Sequence, residues 1–156
     1  MDTYGLIGFP LRHSFSSRFF SEKFTRERID AEYLNFEIAD ITELRRVILS
    51  NPSLRGLNVT IPYKEQVIPF LHALSPEAEQ IGAVNVIRVE RTPEEMYSYR
   101  LTGYNTDCIG FRESLRPILH NEIYTAALIL GTGGASKAVA QALTELQIDW
   151  RLVSRT

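Results

Sequence analysis

A single cysteine, Cys108, stands among 156 residues, so no internal disulfide is available and a reducing compartment is the simplest setting. A lone thiol behaves as a small buried hydrophobe, and Cys108 is read that way. No apolar run approaches the ~20 residues that cross a bilayer, and the start Met1-Asp2-Thr3 lacks the basic region of a secretory signal, so a cytoplasmic protein without a membrane partner is expected. Neither sign of charge dominates: 17 Lys and Arg against 19 Asp and Glu leave a net charge of −2, which gives no electrostatic footprint for nucleic acid. Internal repeats and low-complexity tracts are absent too. What is present is 44% hydrophobic content, enough for one packed domain and part of another, and the expected partner is a small molecule.

The apolar run Tyr4 to Gly8, stopped by Gly8 and Pro10, predicts a buried strand and then a loop. Phe19, Phe20 and Phe24 give an apolar helical face from Ser16 onward, with Ser14 or Ser16 as N-cap. Strands are expected at Ala31 to Ile38 and Leu54 to Thr60 around a helix from Thr42 to Leu49, and this β-α-β-α-β order argues for a parallel sheet. Short helices follow at Lys64 to Leu71 and Pro76 to Ile81, then a hairpin of Val84 to Val89 and Tyr97 to Leu101 with Pro93 in its turn. After a helix from Ile109 to Leu115, a second β-α-β unit begins: strand Ala126 to Leu130, a helix through Leu146, and strand Trp150 to Ser154.

Chemistry concentrates at strand ends. The run Asn58-Val59-Thr60-Ile61-Pro62-Tyr63-Lys64 and the run Gly103-Tyr104-Asn105-Thr106-Asp107 bring a lysine, an aspartate and several uncharged polar groups to loops that a parallel sheet gathers along one edge. Taken alone, Lys64 reads as a solvated surface lysine and Asp107 as the cap of the helix from Cys108. Taken together they fit a site for a polyol: a partly desolvated lysine can take a proton from a hydroxyl, and a neighbouring carboxylate can orient it and bind the same substrate. Ser14, Ser16, Asn58, Thr60, Asn85 and Asn105 add donors and acceptors without charge, and each also suits a plain turn. His13 lies beside this group, where the lysine already fills the part of base.

Between the strand at Ala126 and its helix stands Gly131-Thr132-Gly133-Gly134-Ala135, with Ser136 at the third glycine position of G-x-G-x-x-G. Glycines permit a tight turn and close backbone approach, and the helix N-terminus offers amide donors to a pyrophosphate. The second strand ends in Ser154, Arg155 and Thr156, which suit a 2′-phosphate and favour NADP over NAD. Arg155 is otherwise a solvated terminal residue.

The ordered motifs resemble shikimate dehydrogenase: Gly8 and Pro10 with His13 to Ser16, Gly56 to Lys64, Gly82 to Asn85, Gly103 to Asp107, and Gly131 to Ala135. Ser17 and Phe20 stand where that family has proline and histidine, and Ser154 where it has asparagine. The resemblance implies NADP-dependent, reversible oxidation of the 3-hydroxyl of shikimate to 3-dehydroshikimate, a step of aromatic amino-acid biosynthesis. It implies that Ser14 and Ser16 hold the substrate carboxylate with Thr60 nearby, and that Asn85 and Asp107 bind ring hydroxyls. Lys64 would hold the reacting hydroxyl and assist its proton transfer, with Asn58 and Asn105 shaping the pocket. Lys64 and Asp107 are the catalytic candidates, and Gly131 to Ala135 with Ser154, Arg155 and Thr156 the cofactor candidates. No metal site is expected.

The expected architecture is a three-layer α/β substrate-binding domain with a mainly parallel sheet (1–108), a linker helix and loop (109–124), and an incomplete dinucleotide-binding Rossmann unit (125–156). With that unit cut short after two strands, the chain is expected to bind substrate without efficient turnover and to pair with a second copy through the unit's uncovered strands. A quinate/shikimate dehydrogenase with relaxed cofactor choice and a noncatalytic binding fragment are the competing readings. The folate-interconverting dehydrogenases are disfavoured by the paired Ser14 and Ser16.

Overall fold

The structure, a computed structural model, describes residues 1–11, 15–91, 98–119 and 124–154. Its strands are β1 (Asp2–Gly8), β2 (Ala31–Glu37), β3 (Leu54–Val59), β4 (Ala73–Leu74), β5 (Val86–Arg91) and β6 (Tyr99–Tyr104), joined in one sheet of order β2-β1-β3-β5-β6-β4. β1 pairs in parallel with β2 and β3, β5 runs antiparallel to β3 and β6, and β4 is parallel to β6. The sheet is α/β and mainly parallel, as the alternation of elements predicts.

Helices cover both faces. Helix α1 (Phe15–Glu27) lies on the side of Tyr4 and Tyr33, with the Phe20 ring stacked on Tyr33 at 4.8 Å and Phe24 beside Tyr4 at 5.8 Å. Phe19, expected on the buried face, is 45% exposed and stacks on Phe15 instead: it stands one residue, about 100°, round the helix from Phe20. Ser16 sits inside the first turn rather than capping it, and Ser14 lies outside the described residues. On the opposite face, α2 (Leu44–Ser50), α3 (Tyr63–Gln66) and α4 (Pro76–Ile81) pack Leu44, Val47, Ile48, Tyr63 and Ala78, with Val67 just after α3, against Ile7, Leu57, Val59 and Ile87.

Two short segments differ from expectation. The stretch read as a helix from Lys64 to Leu71 is one turn of α3 and then a 3-10 turn at Ile68–Phe70, because Pro69 has no amide hydrogen to continue an α-helical ladder. It leads into β4, a two-residue edge strand too short to leave a periodic signature. The predicted helix at Thr42 opens as a 3-10 turn, Ile41–Glu43, where Asp40 Oδ1 accepts from Thr42 N at 2.8 Å. Pro93 and the hairpin turn at 92–97 lie outside the described residues.

Beyond α5 (Asp107–Leu115), strands β7 (Ala126–Leu130) and β8 (Asp149–Val153) form a separate two-stranded parallel sheet bridged by α6 (Gly134–Glu145). One face is covered by α6, which buries Ile129 with Ala140, Leu143 and Ile148. The other is open: Leu128 is 68% and Leu130 81% exposed. The two sheets are connected through α6, whose Ala138 and Ala142 are buried with Ile81, Ala83 and Cys108. Cys108 is a buried free thiol, and burial raises its pKa. Among the described residues no helix is long and apolar enough to cross a membrane, and no group of three or more His, Cys, Asp and Glu is placed to hold a metal ion.

Candidate functional site

Two hydrogen-bonded groups of polar side chains meet where β3 runs beside β5. In the first, Lys64 of α3 donates from Nζ to Oδ2 of Asp107, the opening residue of α5, at 2.5 Å. Asn85, buried just ahead of β5, donates from Nδ2 to Asp107 Oδ1 at 2.8 Å and to Thr106 Oγ1 at 2.9 Å. Its orientation is set by Thr106 N, which donates to Asn85 Oδ1 at 2.8 Å, because a reversed amide would put two donors face to face. Thr106, not Asp107, is the N-cap of α5, so the aspartate is released from the capping part open to it in the sequence. Asn105 is 3% exposed and holds the preceding loop, donating to Ala83 O at 3.0 Å and accepting from Cys108 N at 3.2 Å.

The second group centres on a residue that the motifs did not single out. Tyr33, in β2, donates its phenolic hydrogen to Asn58 Oδ1 at 2.7 Å, and the Ser16 side chain lies near the same phenol. Burial pushes the Tyr33 hydroxyl up to about 12, with the nearby Ser16 hydroxyl acting in the opposite direction. A buried tyrosine almost always finds a partner for its polar tip, and that is the signal by which Tyr33 could have been noticed. The groups are tied together by Val59 N, which donates to Asn85 O at 2.8 Å, and by the pairing of Asn58 with Val86. Thr60 follows at the end of β3, with its amide donating to Ile7 O at 2.9 Å.

Thr60 and Lys64 share a cavity of about 380 Å³ with Glu65, Gly133, Gly134 and Ala135, so it is bounded by both sheets' loops. A larger hollow of about 880 Å³ at Ala127, Trp150 and Arg151 holds none of the paired polar groups and lies away from this chemistry. Gly131 adopts φ +117°, which disfavours a side chain, and its amide donates to Val153 O at 2.8 Å. A Cβ added to Gly131 or Gly133 would touch nothing within 4 Å, so both face open space at the start of α6. Ser136 returns its hydroxyl to Gly133 O at 2.6 Å and closes the turn. Thr132 is exposed, Ala135 lies in the first turn of α6, and Ser154 follows β8 at the end nearest Gly131. This turn has the room and the backbone donors to fit a dinucleotide pyrophosphate. His13, Ser14, Arg155 and Thr156 lie outside the described residues.

A partly desolvated ammonium–carboxylate pair flanked by oriented amides can bind and polarise a hydroxyl. Known proteins bear on which hydroxyl. Residues 6–87 match the family described as the shikimate dehydrogenase substrate binding domain. A protein named shikimate dehydrogenase (NADP(+)) from Aquifex aeolicus is 40% identical over 144 residues, covering 91% of this chain and 51% of that protein. Shikimate dehydrogenase 1 of Peptoclostridium difficile superimposes with a TM-score of 0.84 at 38% identity, over 100% of this chain and 57% of that one. Shikimate 5-dehydrogenase of Thermus thermophilus, solved in complex with NADP(H) and shikimate, gives a TM-score of 0.82 at 32% identity over the same shares, 100% and 57%. The chain spans about half the length of the relatives it matches. The matched stretch runs from β1 into β5 and carries Ser16, Asn58, Thr60, Lys64 and Asn85, and by it the chain belongs to the shikimate dehydrogenase family.

Proposed function

We propose that this chain binds shikimate and 3-dehydroshikimate and serves the NADP-dependent, reversible oxidation of the shikimate 3-hydroxyl in aromatic amino-acid biosynthesis, in the cytoplasm. The observation that carries this reading is the Lys64–Asp107–Asn85 group, which presents one cation, one anion and an oriented amide at the strand ends of the family's substrate-binding fold. Lys64 Nζ stands at the reacting hydroxyl and assists its proton transfer. Asp107 orients that amine and, with Asn85, takes a neighbouring ring hydroxyl. Ser14 and Ser16 hold the carboxylate with Thr60, and the Tyr33 hydroxyl fixes Asn58 against the sheet.

Gly131, Thr132, Gly133, Gly134 and Ala135 would hold the cofactor's pyrophosphate, and Ser154, Arg155 and Thr156 its 2′-phosphate. When bound, NADP supplies the hydride acceptor, and this chain supplies orientation and electrostatics. Residues 1–108 act as the substrate domain, 109–124 as linker and 125–156 as nucleotide-binding unit. That division is supported by the first sheet's last strand ending at Tyr104 and the second sheet beginning at Ala126. A second reading, capture without hydride transfer, is favoured by the open face of the second sheet.

Calorimetric titration with shikimate tests the site, and absorbance of NADPH separates the two readings. Saturable binding that falls at least ~10-fold in Lys64→Ala is expected. No heat with shikimate, or equal binding by the variant, overturns the site. Binding with NADP reduction supports the first reading, and binding without it the second.

A further inference from the structure

Lys64 is held from two sides, and Asp107 accounts for one of them. On the other side lies α6. A Cβ built on Gly134 would fall 2.9 Å from Lys64 Cβ and 3.6 Å from Lys64 Cδ and Ala83 Cβ. The nearest obstacle is attached directly to the α3 backbone and cannot swing away as a flexible tip would. Three residues on, Lys137 Nζ meets Glu65 Oε2 at 2.5 Å. Ala138 and Ala142 are buried against Ile81, Ala83 and Cys108. Positions 134, 137, 138 and 142 fall on one helical face, so a single stripe of α6 meets Lys64 and Glu65 at its start and the end of α4 and the start of α5 further along. Val84 N closes the arrangement by donating to Lys64 O at 2.7 Å.

We propose that Gly134 and the Glu65–Lys137 pair are positioning residues for Lys64. The missing side chain at 134 sets how closely the start of α6 approaches α3, and the ion pair fixes their sideways register. Together they hold Nζ within reach of Asp107 and of the substrate hydroxyl. The inference rests on the reading of Lys64 as the residue that meets the reacting hydroxyl. It adds a consequence of its own: the helix that follows the glycine-rich turn seats the lysine, so a displacement of that helix is felt at the hydroxyl.

The test uses the 156-residue chain with Gly134→Ala, Glu65→Lys, Lys137→Glu and the double reversal Glu65→Lys/Lys137→Glu. Shikimate affinity is read by calorimetry, and the Lys64 ε-ammonium resonance by nitrogen-15 NMR, assigned with Lys64→Arg. Gly134→Ala is expected to weaken shikimate about ten-fold, the scale of overpacking a tight contact. Each single reversal should weaken it a few-fold, as a half-exposed ion pair allows, and the double reversal should return to within about two-fold of the parent chain. The ammonium resonance should move in the same order. Parent-like affinity and an unmoved resonance in Gly134→Ala would overturn the proposal. So would a double reversal no better than its singles, since that pattern reports bulk charge near the site and not a specific pair. If the parent chain binds no shikimate, the proposed function fails by itself. The positioning claim is then decided by the resonance alone, and an unmoved signal in Gly134→Ala refutes it.

Discussion

Replacing Asp107 by asparagine asks more of the site than removing a charge. Both carboxylate oxygens accept hydrogen bonds, Oδ2 from Lys64 Nζ at 2.5 Å and Oδ1 from Asn85 Nδ2 at 2.8 Å. Asn85 cannot turn to accommodate a change, because its own oxygen is occupied by Thr106 N. An asparagine at 107 has one oxygen and one NH₂, so in either orientation its NH₂ faces a donor. A hydrogen bond to a charged group is worth ~1.5–3 kcal/mol when sheltered. The side chains of Lys64 and Asp107 are 17% and 33% exposed, which places the pair between sheltered and surface cases. The expected loss for Asp107→Asn is therefore about 1–2 kcal/mol in unfolding free energy, since solvent screens part of the interaction. Urea unfolding should show it as a lowered midpoint at constant m. Shikimate affinity should fall at least ~10-fold in the same variant, because Lys64 loses its fixed partner. Asp107→Ala serves as the control. It removes the clashing NH₂ and lets Lys64 reach toward water, so it should be no less stable than Asp107→Asn. A stability for Asp107→Asn within ~0.3 kcal/mol of the parent would refute the reasoning, as would an alanine variant that is clearly the worse of the two.

Three further outcomes follow from the geometry. Burial pushes the Tyr33 phenol from 10.0 up to about 12, so above pH 10 the unfolded chain loses that proton first. The stability this contributes is whole below pH 10 and declines as pH rises toward 12. Tyr33→Phe should therefore show a shallower alkaline loss in urea unfolding, and equal slopes would count against the buried phenol. Gly82 ends α4 at φ +68°, and a Cβ there would find its nearest neighbour, Lys137 Nζ, at 3.9 Å. Gly82→Ala should accordingly cost about 1 kcal/mol from backbone strain alone, and Gly82→Asn less, since asparagine tolerates the left-handed region. A neutral alanine variant would contradict that account. Finally, Leu128 and Leu130 leave the open face of β7 apolar. Light scattering of the chain should show concentration-dependent association that is reduced by Leu128→Lys/Leu130→Lys, and a monomer at all concentrations would refute it.

The features legible in the sequence are those whose cause lies within a few residues. Helix α4 announces itself at both ends: Ser75 accepts from Ala78 N, Pro76 takes the first position where a missing amide hydrogen is harmless, and Gly82 provides the left-handed cap. Lys64 and Asp107, 43 residues apart, could still be paired beforehand, because a parallel sheet brings its strand ends to one edge whatever the detailed packing. Phe19 and Tyr33 needed more. Which of two adjacent phenylalanines turns inward depends on how α1 lies across β1 and β2, and the partner of the Tyr33 hydroxyl depends on β2 and β3 flanking β1. The Glu65–Lys137 contact needed most, since two exposed charges 72 residues apart leave no local trace and meet only once α6 has docked on α3. Motif spacing thus identifies the groups proposed to touch the substrate, while the contacts that surround Lys64 come from the angle between packed elements. Gly134 shows the distinction most sharply: the same glycine that reads in sequence as part of a phosphate turn is, in the folded chain, pressed against the lysine of the neighbouring site.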